Sequence, residues 1–189
     1  NFSDAADFYI EADRLKTKDL ILRGRINSCM GYLCKQDSCF KEALVFYERS
    51  SKAFKESGND WYYAHNLLNV AEQYVNLREY NRADCVLAEA ETYEIDSAYY
   101  ARMVETRGMY YYEQQQYDSA LVYLVNELSI LRSTNMQCFC MHLILQCYSR
   151  MNRIDLALPY AEYIIKHSLR IGFMNNAYYV LIKNAEQQN

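Results

Sequence analysis

A chain of 189 residues with 51% hydrophobic and 23% charged side chains is globular in composition rather than disordered, and it is long enough to bury a substantial apolar core. Its net charge of −4 leaves no basic surplus for neutralising phosphates, which argues against nucleic-acid binding by this segment. No stretch approaches the roughly 20 apolar residues of a membrane span, and five glycines and one proline are too few turn formers for a fold of many short strands.

Long helices joined by brief polar links are therefore expected. FSDAADFY, from Phe2, predicts a helix over about residues 2–17. INSCMGYLC and FKEALVFY predict a helical pair within residues 20–57, and LLNVAEQYV and YNRADCVL a second within 60–96. VETRGMYYY and YDSALVYL predict a third pair within 97–134, and LILQCYSRM and IDLALPYA a fourth within 135–171. The tetrapeptides KQDS, NLRE, EQQQ and MNRI connect the members of each pair. A last helix, about 174–187, gathers Tyr178, Leu181, Ile182 and Ala185 on one face.

The second helix of each pair, and the first segment of the chain, follow one formula: a bulky residue, two mostly polar ones, an alanine, then, in all but the last, a larger residue four further on. The alanines are Ala5, Ala43, Ala83, Ala120 and Ala157, at intervals of 38, 40, 37 and 37 residues. Such recurrence is the signature of stacked helical units. Close approach of two helices needs small side chains at the crossing, which predicts that Gly108 faces Ala120.

With these residues the chain resembles the tetratricopeptide repeat family. Gly31, Ala71 and Gly108 match the small site of helix A, and Tyr74, Tyr111 and Tyr148 its tyrosine. Ala43, Ala83, Ala120 and Ala157 match the alanine of helix B, with Tyr47, Leu87 and Leu124 behind it. The family's tryptophan and closing proline are missing, Leu145 replaces a small residue, and the period exceeds the usual ~34 residues. The resemblance implies an all-α fold, a right-handed α-solenoid of antiparallel helix-turn-helix hairpins. Residues 1–189 would form one repeat domain, with a half repeat at 1–18 and the terminal helix unpaired, as part of a longer chain.

Chemical motifs are sparse. Seven cysteines cannot all pair within one molecule, and most sit where a helix wants a small apolar side chain. They read as reduced core residues and suggest a cytoplasmic location, the periplasmic part of a membrane-anchored regulator being the alternative. In CFCMH, Cys138 and His142 share a helical face but Cys140 points away, and Cys29, Cys34 and Cys39 are scattered by their five-residue intervals, so no metal site is expected. His65 and His167 stand alone, EAETYEID reads as a solvated helix end, and Pro159 as a local bend. No nucleophile with its base and no glycine-rich phosphate loop is present, so neither catalysis nor a cofactor is expected.

The A helices of tetratricopeptide proteins line a concave side, and one subgroup clamps a peptide carboxylate there with Lys, Asn and Arg. Of that set only Asn69 and Arg102 have counterparts, while Ser28, Tyr32 and Thr106 depart from it, which disfavours a carboxylate clamp. The same side would present Arg25, Tyr32, His65, Asn69, Glu72, Arg102, Glu105, Met109, Tyr112, Phe139, His142 and Gln146 as a groove. Rings and a methionine beside a few charges suit an extended or helical peptide. The expected function is a non-enzymatic protein- or peptide-binding module within a larger bacterial regulator, without membrane contact by this segment. A purely architectural or homodimerising array is the alternative.

Overall fold

The structure, a computed structural model, describes residues 18–129 and 131–188. The helix expected over residues 2–17, with Ala5, lies outside them. Among the described residues all regular structure is helical: α1 (Leu20–Gln36), α2 (Phe40–Ser57), α3 (Asp60–Asn76), α4 (Tyr80–Ala90), α5 (Ser97–Glu113), α6 (Tyr117–Leu128), α7 (Thr134–Arg150), α8 (Ile154–His167) and α9 (Ile171–Gln188). The last begins three residues before its expected start. The chain divides into two compact units, Asn1–Met103 and Val104–Asn189.

In the first unit α1 packs on α2, α2 on α3, and α3 on α4. Two of these helices open on a side-chain cap. The Asp19 carboxylate accepts the backbone N–H groups of Ile21 and Leu22 at 2.9 and 3.1 Å, and Asn59 Oδ1 accepts that of Tyr62 at 3.1 Å. Ala43 and Ala83 are fully buried at the helix crossings. Glycines let α1 lie directly on α2: a Cβ on Gly24 would stand 2.4 Å from the Phe54 ring, and one on Gly31 2.9 Å from the Tyr47 ring. Beside this contact the Ser50 hydroxyl donates to the Gly24 carbonyl at 2.7 Å.

The second unit repeats the device. Ala120 and Ala157 are fully buried, but Gly108 does not chiefly face Ala120: a Cβ there would first meet Leu124, at 2.7 Å. The small residue of helix A thus lies against the large residue one turn beyond the alanine, just as Gly31 lies against Tyr47. Further along, Leu145, Ile154, Ala161, Ile164, Ala177 and Val180 form a core shared by α7, α8 and α9. Pro159 sits inside α8, where its missing N–H forfeits only the bond to the carbonyl of Asp155.

The links between paired helices share one conformation. Ser38, Arg78, Gln115 and Asn152 all have positive φ, between 57° and 62°, and they are spaced by the same 40, 37 and 37 residues as the alanines that follow them. In each link the next residue's N–H reaches back five residues: Cys39 to Cys34, Glu79 to Tyr74, Gln116 to Tyr111 and Arg153 to Tyr148, every one at 2.9 Å. This is the left-handed C-terminal cap that glycine ordinarily supplies. Here side chains occupy it at a cost of about 1 kcal/mol per site, so Gln115→Gly is expected to raise stability by up to about 1 kcal/mol, read as a higher urea midpoint with an unchanged slope.

Candidate ligand-binding surfaces

In the first unit, residues one turn apart on α3 meet α1 and α5. Glu72 takes Lys35 Nζ at 2.6 Å and Arg102 Nη2 at 4.0 Å, while Arg102 also donates to Asn69 Oδ1. Three of the groove residues expected from sequence, Asn69, Glu72 and Arg102, thus form one network with Lys35. Next to it Trp61 packs on His65 with ring centroids 4.2 Å apart, and His65 meets Tyr99 edge-on at 5.2 Å. The Trp61 indole donates to Asp96 Oδ2 at 3.2 Å yet keeps 48% of its surface exposed. Burial, and then the nearby Arg102, hold His65 below the ordinary histidine range against an opposing pull from Asp96. Arg25 and Tyr32 are exposed.

The link between α4 and α5, with the start of α5, forms an open depression of about 530 Å³. Tyr93, Tyr99 and Tyr100 wall it, and Glu91, Glu94 and Asp96 stand at its edge. EAETYEID is therefore the rim of an aromatic depression as well as a solvated helix end.

In the second unit the expected residues separate into three places. Tyr112 and Gln146 line a cleft of about 520 Å³ with Arg150, Asn176 and Tyr179. Burial raises the Tyr112 phenol, with the neighbouring Arg150 acting in the opposite direction. His142 is buried rather than presented: its ring stacks on Phe173 at 4.1 Å and its Nε2 lies 2.8 Å from Asn176 Nδ2. Burial first, and then Arg170, push its pKa down to about 4, so it packs as a neutral ring. Met109 is half-buried.

Glu105 and Phe139 belong to the third place, a cavity of about 280 Å³ that also involves Glu127, Met136 and Arg170. Glu127 is 1% exposed and its Oε2 meets no hydrogen-bond donor among the described residues. Burial, reinforced by Glu105 and opposed by the Cys140 thiol, raises its pKa to about 8. Cys140 Sγ donates to the Leu124 carbonyl at 3.1 Å.

Sequence reasoning missed Glu127, Trp61, Lys35, Phe173 and Asn176. For Glu127 a signal existed. In the alanine register Ser50, Ala90, Glu127 and Ile164 occupy one position, seven residues after each alanine, and all four are essentially buried. A glutamate there departs from three small or apolar counterparts. The cysteines divide as well: Cys138, Cys140 and Cys147 are buried and Cys29 and Cys34 half-buried, but Cys39 and Cys85 are exposed, contrary to a uniform core role. All seven are free thiols. Among the described residues no three His, Cys, Asp or Glu side chains converge to hold a metal ion, and no helix is long and apolar enough to cross a membrane.

No family model and no curated protein matches the chain. Its fold is similar to that in the crystal structure of BtubC (BKLC) from P. vanneervenii, with a TM-score of 0.67 and 21% identity over 87% of this chain and 72% of that one.

Proposed function

We propose that this chain is a non-enzymatic protein- or peptide-binding module, a right-handed solenoid of tetratricopeptide-like hairpins within a larger bacterial regulatory protein. The observation that carries this reading is the first unit's surface on α3 and α5, where the half-exposed Trp61, packed on His65, stands beside the network of Asn69, Glu72 and Arg102. Exposed rings next to pre-positioned charges bury large area at little entropic cost, which suits recognition of an extended chain. The link conformation that recurs in register supports the repeat assignment, and seven free thiols fit a cytoplasmic location.

A peptide-array screen followed by fluorescence anisotropy on a captured peptide tests it. Trp61→Ala and Arg102→Ala are each expected to weaken binding at least tenfold, the loss of a central anchor of about 1.4 kcal/mol or more. Unchanged affinity in both variants, or an array without saturable binders, contradicts the reading.

A second reading has its own support. Leu169, Ile171, Tyr178, Tyr179 and Ile182 leave apolar surface exposed on and just before α9, which favours an architectural role with a second copy covering it. Sedimentation that stays monomeric up to about 100 μM removes that reading, since a dimer with a dissociation constant of about 1 μM would be largely formed there.

A further inference from the structure

We propose that the cavity between α5, α6 and α7 in the second unit binds an alkylammonium group, with Glu127 receiving the cation and Phe139 and Met136 flanking the alkyl stem. Glu127 is the ionisable residue in a position that the other units fill with Ser50, Ala90 and Ile164. A buried carboxyl whose Oε2 meets no donor is unfavourable in either charge state, so a ligand that brings donors and positive charge is the natural complement. Glu105 lines the same cavity and adds negative potential. Phe139 supplies a ring that a cation can lie against.

Geometry selects among cations. Two carboxylates beside a ring and a thioether do not make a metal cage, which needs four or more ligands, and among the described residues no such group exists. A primary ammonium on a flexible carbon stem, by contrast, can pass apolar walls and end on a carboxylate. Three groups face Glu127 from the packed elements: Glu105 on α5, Cys140 on α7 and Arg170 in the link before α9. The Cys140 thiol donates to the Leu124 carbonyl and also favours the ionised form of Glu127. Arg170 lines the same cavity, with its guanidinium 5.2 Å from the Phe173 ring centroid.

The ammonium source is either a lysine of a bound peptide or a free alkylamine. The first rests on the peptide-binding reading above; the second stands without it. Binding requires ionised Glu127 and releases its proton to solvent, so affinity rises about tenfold per pH unit up to its pKa of about 8 and levels off above.

The test is carbon-13 NMR of the glutamate carboxyls in the whole chain, with the Glu127 signal assigned by its loss in Glu127→Gln. Pentylammonium chloride is expected to lower the Glu127 titration midpoint saturably by at least one unit, and tetramethylammonium chloride at equal ionic strength to leave it in place. Arg170→Ala should strengthen pentylammonium binding without moving the ligand-free midpoint. A capped pentapeptide with a central lysine, run against its norleucine counterpart, separates the sources. Lysine-dependent binding assigns the site to a peptide, while pentylammonium binding without it assigns a free amine and leaves the peptide reading to stand or fall on Trp61 and Arg102. Three results overturn the proposal: no saturable shift with either probe, equal pentylammonium binding by Glu127→Gln, or a ligand-free midpoint that rises in Arg170→Ala, which would make Arg170 the built-in partner.

Discussion

Glu127→Gln is expected to stabilise the protein at pH 7 by on the order of 3 kcal/mol. In the folded chain the carboxyl keeps its proton up to pH about 8, against an ordinary value of 4.5. Between those values the unfolded chain ionises while the folded one does not. The folded state then holds the extra proton, and wild-type stability falls as pH rises from about 4.5 to about 8. The contribution is fully present below pH 4.5 and lost above pH 8. Glutamine keeps the shape without the ionisation, so the variant's stability should be flat where the wild type's declines. Urea unfolding at pH 5, 7 and 9 checks this, with a gap between the two proteins that widens from the first pH to the last. Amide exchange should locate the gain in α6 and α7, the helices that carry Glu127 and its neighbour Cys140.

Gly24→Ala should act in the opposite direction, with a net loss of about 2 kcal/mol. Alanine in a helix interior is worth about 1 kcal/mol over glycine, but the added methyl would stand 2.4 Å from Cε1 and 2.6 Å from Cδ1 of Phe54. That ring is 2% exposed and stacked on Tyr62 at 4.9 Å, so it has no room to withdraw, and overpacking of a filled core costs roughly 1–3 kcal/mol or more. Phe54→Leu in the Gly24→Ala background should restore part of the loss, because it removes the clashing ring edge. Gly172, where nothing lies within 4 Å of the added atom, serves as the control: Gly172→Ala should not destabilise. A melting temperature for Gly24→Ala at or above wild type contradicts the packing account.

The helical pairs were legible in sequence because their evidence is distributed. Four described alanines in one register, three of them followed one turn on by a large residue, leave little freedom once the 3.6-residue period is imposed, and the helices fall where those segments predict. What Gly108 touches was less accessible. Ridge packing identifies a small residue at a crossing but not which of two residues one turn apart lies opposite, and the structure selects Leu124 over Ala120. The positive-φ links were invisible for a different reason: Ser38, Arg78 and Gln115 are not residue types that announce the left-handed region, and only Asn152 tolerates it readily.

The candidate site residues are legible only in part. Asn69, Glu72 and Arg102 meet in one network, as residues on one face of neighbouring A helices must. His142 was assigned to a surface, but the α9 ring of Phe173 covers it, a tertiary contact that helical periodicity does not encode. Glu127 lies on α6, a B helix, outside the A-helix positions expected to line the groove. Aligning the four units position by position would have isolated it.

The claim on which most depends is that a carboxyl occupies a core position of the repeat without a compensating cation. Its direct measurement is the carbon-13 titration of the Glu127 carboxyl in the ligand-free protein. A midpoint near 8 agrees with a buried, uncompensated group. A midpoint at or below the ordinary 4.5 would mean that Glu127 is solvated or paired, and both the stability prediction and the cation site would fail with it.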